Sequence, residues 1–220
     1  MIRLSSYRRN PSVGVFARAC DRMAFVPSFA PADFVKDIKE ALEVEVFPTE
    51  VAEISLLGAM MTLNNNGILL PRNTTEKELE FFQSLDTKVG VIDDKPTALG
   101  NLVTANDNGA VVSTLFSAAV RKEIGDILDV EVVARDFQGY RTVGSIGVAT
   151  SKGALMHPVL TENDLESIEK LLKVEVDIGT VNRGVGYVRT GIVANSKGAV
   201  IGKDTTSPEI ARIEDALALL

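Results

Sequence analysis

Residues 195–210 read NSKGAVIGKDTTSPEI, and residues 151–165 read SKGALMHPVLTENDL. Each stretch begins with a polar Ser-Lys-Gly turn and continues with a short apolar run. Each then passes through a threonine and ends at the acidic start of a helix pattern. Because one chain contains the same order of features twice, an internal repeat is the first possibility to consider.

The turn glycines give the register of the repeat. Successive turn glycines are 42, 44 and 45 residues apart. A methionine lies 44 residues before the first of them, in a divergent copy of the turn. The turn positions are Met23, Gly67, Gly109, Gly153 and Gly198. A second glycine lies nine residues before each of the first four positions, at Gly14, Gly58, Gly100 and Gly144. In the fifth copy, Gly191 lies seven residues before the turn. This spacing predicts five repeats of about 44 residues.

Each repeat predicts a β-hairpin, a helix and a third strand. The polar turn joins two short apolar strands, and its glycine is expected to supply a positive φ. A helix pattern with apolar residues at helical spacing follows. Capping boxes are expected at two helix starts, from Thr75 with Glu78 and from Thr206 with Glu209. The third strand comes after the helix, as in LKVEVDI at 172–178.

The fifth repeat has a helix but no third strand after it. Residues 2–6 have strand character and precede the first hairpin, so they can supply the missing strand. This exchange would close five units into a ring and cover the exposed sheet edges. We therefore expect an α/β propeller of five ββαβ repeats, rather than an open stack of α+β repeats. A single domain, 1–220, would contain repeats at about 7–54, 55–97, 98–141, 142–186 and 187–220 plus 1–6.

Composition restricts the class of protein. Of the 220 residues, 45% are hydrophobic and 24% are charged, which is typical of a soluble globular protein. No apolar run has the length of a membrane helix, and the first residues lack a signal-peptide core, so a cytoplasmic location is expected. The net charge of −7 argues against bare nucleic acid as the main partner. Residues 1–22 have a local charge of +4, and the acidic remainder suits a basic partner or only good solubility.

Catalytic and cofactor-binding patterns are weak. Cys20 and His157 are the single cysteine and histidine, and nothing in the sequence predicts that they meet. One cysteine and one histidine do not make a metal-ligand cluster, and GTVNRG at 179–184 lacks the lysine of a phosphate loop. No catalytic residue, metal or cofactor is therefore expected. Carboxylates on the third strands suggest a solvated face, or else an acidic ring that meets a basic partner.

Several motifs together resemble the translation initiation factor six family, the ribosome anti-association factors of archaea and eukaryotes. They are LLPRNTTEKEL (69–79), TALGNLVTANDNGA (97–110), LDVEVV (128–133), VGSIGVATSKGALMHP (143–158), GTVNRG (179–184) and GKDTTSPEI (202–210). The resemblance spans the chain and is closest to the archaeal type. It implies a five-fold propeller of the pentein type, without catalysis or a cofactor.

The resemblance also implies a function and a partner. Such a protein would bind the large ribosomal subunit on its intersubunit face and sterically prevent association with the small subunit. The main contact would be a ribosomal protein of the L14 family near the sarcin-ricin loop, with possible rRNA contact. A role in large-subunit maturation, with release involving a GTPase, is also implied. The factor would act as a monomer without any membrane contact.

The family's ribosome-facing residues lie at or just after the repeat-start glycines. The matching positions in this sequence are Gly58, Ala59, Gly100, Asn101, Thr190, Gly191 and Ile192. Pseudosymmetry adds Val15 and Ser145. Asn101 is the strongest candidate, because its amide can both donate and accept hydrogen bonds.

Two other functions stay open from the residues alone. One is a guanidino-modifying enzyme of the same fold, but such enzymes resemble one another in a late nucleophilic cysteine, and Cys20 is early in this chain. The other is a scaffolding ring with a different protein partner.

Overall fold

The computed structural model describes residues 1–219, and within them five three-stranded sheets follow one another along the chain. Leu220, the last position of the predicted domain and of its fifth repeat, lies outside the described residues. The strands are β1 (Ile2–Ser5), β2 (Arg18–Ala19), β3 (Met23–Pro27), β4 (Glu45–Thr49), β5 (Thr62–Leu63), β6 (Gly67–Pro71), β7 (Lys88–Ile92), β8 (Val103–Ala105), β9 (Gly109–Val112), β10 (Glu131–Ala134), β11 (Gly147–Ala149), β12 (Gly153–Met156), β13 (Glu175–Ile178), β14 (Ile192–Ala194) and β15 (Ala199–Gly202).

Longer helices and single-turn elements accompany these strands. The longer helices are α2 (Ala32–Leu42), α4 (Glu76–Gln83), α6 (Ala118–Leu128), α7 (Glu162–Leu172) and α8 (Ser207–Ala216). Single-turn elements precede the first strand of four units: α1 (Val13–Phe16), α3 (Leu57–Met60), α5 (Leu99–Leu102) and a 3₁₀ turn at Val188–Gly191. Among residues 1–219, no helix has the length and apolar composition needed to cross a membrane.

The sheet pairing follows the predicted hairpin, helix and strand order. In the fourth sheet, β12 pairs antiparallel with β11 and parallel with β13, which follows helix α7. The expected capping boxes are present at Thr75 with Glu78 and at Thr206 with Glu209. These boxes satisfy backbone N–H groups that a helix start otherwise leaves without partners.

Strand β1 completes the fifth sheet, which confirms the predicted ring. It pairs parallel with β15, with Ile2 opposite Ala199 and Ser5 opposite Gly202. The first strands of the units, β2, β5, β8, β11 and β14, lie side by side in a closed circle. The closed propeller is therefore correct, and the open stack is not. The exact repeat boundaries stay predictions.

Each hydrophobic core is shared between two consecutive units. Leu69 of the second unit packs in the cluster around α6 of the third, and Val200 of the fifth unit packs in the cluster around α2 of the first. Burial of apolar area is the main favourable term in folding. Because that area lies between neighbours, the units stabilise one another around the ring.

The expected role of the turn glycines is wrong. Gly67, Gly109, Gly153 and Gly198 all have ordinary negative or extended φ values, since positive φ among the described glycines occurs at other positions. Each turn glycine instead faces a carbonyl of the next unit's helix. A Cβ on Gly67 would lie 2.2 Å from the carbonyl oxygen of Ile127. Close approach between units, not backbone conformation, requires glycine here.

Candidate functional site

A ring of five tight turns surrounds one end of the propeller axis, before the first strand of each unit. Gly14, Gly58 and Gly100 each face a backbone carbonyl of the preceding unit. A Cβ would lie 2.0 Å from the oxygen of Arg189 at Gly14, 1.8 Å from that of Gly14 at Gly58, and 2.1 Å from that of Gly58 at Gly100. Gly144 repeats this contact with Gly100 at 2.3 Å. The glycines thus let five backbones meet around the axis.

Arg189 occupies the fifth position of this glycine ring. Its backbone N–H donates to the Ser145 carbonyl at 3.2 Å, which joins the fifth turn to the fourth. Gly191, the sequence candidate, lies beside Val181 and Asn182 instead, and it is buried. The ring position therefore lies nine residues before the turn position in all five units, and it is an arginine in the fifth.

The residues directly after the ring positions are structurally equivalent. Each donates its backbone N–H to the carbonyl three residues earlier, at 2.9 to 3.1 Å. The five residues are Val15, Ala59, Asn101, Ser145 and Thr190. The residues that accept these hydrogen bonds are Ser12, Leu56, Ala98, Thr142 and Tyr187. We call these ten residues the turn surface.

The candidates differ in accessibility. Val15, Ala59, Asn101 and Thr190 are partly exposed, whereas Ser145 is buried and donates its hydroxyl to the Thr142 carbonyl. Gly58 and Gly100 are buried packing positions. Ile192 is fully buried in the core shared by the fourth and fifth units, so its side chain cannot contact a partner.

The turn surface carries no charge at neutral pH. Leu56 and Tyr187 expose 39% and 43% of their surface, and they flank small and polar side chains. The amide of Asn101 makes no hydrogen bond to any residue in 1–219, so both its donor and its acceptor groups are available. Interface centres in protein complexes are depleted of charge, and this surface has that composition.

The opposite end of the axis is polar and acidic. Asp21 accepts a hydrogen bond from the backbone N–H of Ser196 at 2.7 Å, and Asp107 accepts one from that of Asn65 at 2.8 Å. These contacts link hairpin turns of different units. The two ends of the propeller therefore offer different chemistry to a partner.

Buried asparagines clamp neighbouring units, a role that sequence reasoning missed. The side-chain N–H₂ of Asn106 donates to the carbonyls of Thr150 and Leu172 in the next unit, at 3.0 and 2.9 Å. Its oxygen accepts from the backbone N–H groups of Asn108 and Gly109 within its own turn. Asn64 and Asn195 repeat both sets of contacts. In the sequence, these residues are recognisable as an asparagine three residues before the turn glycine. Asparagine is common in turns for local reasons, so its position alone does not indicate a contact between units.

Cys20 and His157 lie in different surroundings. Cys20 is buried in the axial interior, and this burial raises the pKa of its thiol. His157 packs between Tyr140 and Tyr187, and partial burial lowers its pKa. No group of three or more metal-ligating side chains occurs in the described part of the chain.

Carboxylates on the third strands do not form a complete ring. Glu45, Glu131 and Glu175 are exposed at equivalent register positions, but Lys88 stands at that position in the second unit. The GTVNRG segment is a strand-linking turn, closed by a bridge from its Val181 to Val185 directly after it. Its backbone donates to Glu209 of the following helix.

The family model and the curated relatives match nearly the whole chain. The model of the eIF-6 family matches residues 2–216. Translation initiation factor 6 of Pyrococcus abyssi is 41% identical, covering 97% of this chain and 97% of that protein. The Thermoplasma acidophilum protein of the same name is 41% identical, covering 99% and 100%. Among solved structures, DDAH from Pseudomonas aeruginosa complexed with citrulline has 11% identity and a TM-score of 0.46, covering 78% of this chain and 70% of that one.

Proposed function

The chain belongs to the eIF-6 family, and on that premise we propose that it is a translation initiation factor that keeps ribosomal subunits apart. It binds the large subunit on the face that meets the small subunit, and its bulk blocks joining. The same binding gives it a role in large-subunit maturation. Binding and steric exclusion are sufficient for this function, so it requires no catalytic residue.

The turn surface is the proposed contact with the large subunit, and its uncharged composition is the observation that supports this assignment. A protein partner can meet it through apolar contact with Leu56 and Tyr187 and through hydrogen bonds with Asn101. Naked phosphate, by contrast, would need arginine and lysine at the centre of the contact. The proposed partner is accordingly a ribosomal protein, and the family resemblance points to one of the L14 family, near the sarcin-ricin loop.

Contact with rRNA is proposed only at the edge of this surface. Of the N-terminal arginines, Arg3 pairs with Glu40 at 2.5 Å, and Arg18 is buried. Arg8 and Arg9 are exposed in the turn that precedes α1, close in sequence to Ser12 of the turn surface. These two guanidinium groups can reach phosphates while the central contact remains with protein. The net charge of −7 also favours encounter with basic ribosomal proteins, an effect that salt weakens.

Sedimentation of purified ribosomal subunits tests the proposal. Large and small subunits are mixed with the protein at magnesium concentrations that favour joining and separated on a sucrose gradient. The wild-type protein should migrate with the large subunit and reduce the joined peak. A protein that stays at the top of the gradient, with the joined peak unchanged, would overturn the proposal.

Two lysine substitutions distinguish the surface from general charge effects. Asn101→Lys places a bulky cation on the turn surface and should weaken binding to the large subunit. Asn163→Lys makes the same change on the exposed side of α7 and should leave binding intact. Equal binding by the two variants would show that Asn101 lies outside the interface. The anti-association function would still be decided by the sedimentation of the wild-type protein.

A further inference from the structure

Two buried arginines line one cavity on the propeller axis. Arg18 in β2 is 5% exposed, and Arg189 in the glycine ring is 6% exposed. Both side chains border a cavity of about 20 Å³, together with Thr104, Gly147 and Val148. Two units thus place a cation at the axis where the other units have small or neutral side chains.

Several nitrogens of these arginines lack hydrogen-bond partners. Nη1 of Arg18 and both Nε and Nη2 of Arg189 are buried without a partner among residues 1–219. The remaining contact of Arg189, from Nη1 to the Ile192 carbonyl, is long at 3.5 Å. A guanidinium remains protonated in proteins, and a buried charge without compensation is strongly unfavourable. The site therefore requires negative charge from some source.

The nearest acidic groups of the chain do not provide that charge. Cys20 is close to Arg18, but burial raises the pKa of its thiol, so it remains neutral. Asp21 and Asp107 lie in the adjoining part of the axis and accept hydrogen bonds from turn groups of other units. Burial lowers the pKa of Arg18 to about 10, and burial together with the charge of Arg18 lowers that of Arg189. The shift of Arg189 indicates that the charge of Arg18 repels it, whereas the shift of Arg18 comes from burial.

We propose that the axial cavity binds a small monovalent anion of the halide type, chloride above all, between the guanidinium groups of Arg18 and Arg189. Its volume is sufficient for about one particle of water or halide size, whereas sulfate and phosphate are too large. The Thr104 hydroxyl already donates to the Val143 carbonyl, so the arginine nitrogens are the available donors. The bound anion links the first and fifth units across the point where the ring closes.

A ring of four alanines and one leucine separates this cavity from the acidic end of the axis. It consists of Ala19, Leu63, Ala105, Ala149 and Ala194, which border both cavities. An anion held behind this ring is shielded from water, which strengthens its interaction with the arginines.

Thermal unfolding in two salts tests this site. The Tm is measured in mixtures of sodium chloride and sodium gluconate at constant sodium, because gluconate is too large for the cavity. Raising chloride from about 1 mM to about 100 mM should raise the Tm of the wild-type protein by on the order of 5 °C. A Tm that is the same at all chloride fractions would overturn the proposal.

Substitutions and a heavier halide locate the effect. Arg189→Met should abolish the chloride response, whereas Arg72→Met, which removes an exposed arginine, should retain it. If Arg189→Met retained the full response, the anion would bind elsewhere and the proposal would be wrong. Crystals of the wild-type protein grown in sodium bromide should show an anomalous peak in contact with both guanidinium groups. The absence of that peak would contradict the site even if the Tm responded to chloride.

Discussion

Gly58 packs directly on the carbonyl oxygen of Gly14, so that a Cβ on Gly58 would lie 1.8 Å from that oxygen. The same approach joins Gly100 to Gly58 at 2.1 Å. Since the contacting atoms belong to the backbone, no side-chain rotation can relieve an added methyl group. The spacing of the turn surface is therefore fixed by these contacts between neighbouring units.

Gly58→Ala should destabilise the ring by about 3 kcal/mol, because the added methyl group forces two units apart. Urea unfolding measures the loss as a lower midpoint. Gly179→Ala is the control, since its Cβ would meet only side-chain atoms of Leu155 and Arg212, at 3.0 and 3.1 Å. An equal loss in the two variants would show that backbone contact around the axis has no special importance.

Asn106→Thr tests the hydrogen bonds of Asn106 to the next unit separately from those within its own turn. Thr150 holds its own turn through a hydroxyl that accepts from the backbone N–H groups of Lys152 and Gly153. A threonine at 106 can do the same, but it leaves the Thr150 carbonyl without its amide donor, whereas the Leu172 carbonyl keeps a hydrogen bond from the Asn108 amide. We expect a loss of about 2 kcal/mol in unfolding free energy. The same change at exposed Asn163 should cost less than about 0.5 kcal/mol, and a similar cost at both sites would contradict the clamp.

Glu209→Gln should change the acid stability of the protein. Burial alone would raise the pKa of Glu209, but hydrogen bonds from the backbone of Thr206 and Gly184 and from the hydroxyls of Thr180 and Thr206 lower it to about 2. Its ordinary value is 4.5, so its contribution is complete above that pH and is lost as the pH falls towards 2. The variant should have a lower Tm at neutral pH and a flatter Tm profile in this window.

The matched control for this profile is Glu166→Gln. Glu166 is exposed, and within residues 1–219 its one ion pair is the long contact with Lys170, at 3.9 Å. This variant should follow the wild-type curve. If the profile of Glu209→Gln also ran parallel to the wild-type curve, the hydrogen bonds to Glu209 would not be the source of the acid sensitivity.

The turn surface should act as one contact area across several units. Ala59→Lys and Thr190→Lys, like Asn101→Lys, should each weaken binding to the large subunit at least tenfold, or about 1.4 kcal/mol. Affinity is measured by titrating labelled protein with large subunits, with Asn163→Lys as the reference. Unchanged affinity in one of these variants would exclude that residue from the contact and limit it to the units whose lysine variants do weaken binding.

Much of the fold could be predicted because its signals are local and repeated. The turn glycines gave the unit length, Thr75 and Glu78 marked a helix start, and the missing fifth strand matched the spare strand at residues 2–6. The reason for a glycine at 67 could not be predicted, because a side chain there is excluded by the carbonyl of Ile127, 60 residues away. A short window cannot distinguish a glycine needed for a turn from one needed for contact.

The candidate site was predicted only in outline. The positions after the repeat glycines do form one ring, but the sequence does not reveal that Ser145 and Ile192 are buried. Arg189 reads as a surface residue in isolation, since arginine is rarely buried. Only the closed ring brings it beside Arg18 and makes the pair unusual.

The pairing of β1 with β15 also determines when the protein can finish folding during its synthesis. Residues 2–5 leave the ribosome long before their partners at 199–202 are made. Strand β1 must therefore wait, with its edge exposed, while the other four sheets are made. Contacts between such distant residues slow folding and expose unpaired edges to other chains. A factor proposed to act on newly made ribosomal subunits thus depends, for its own completion, on a strand that its ribosome delivers only after the other four sheets.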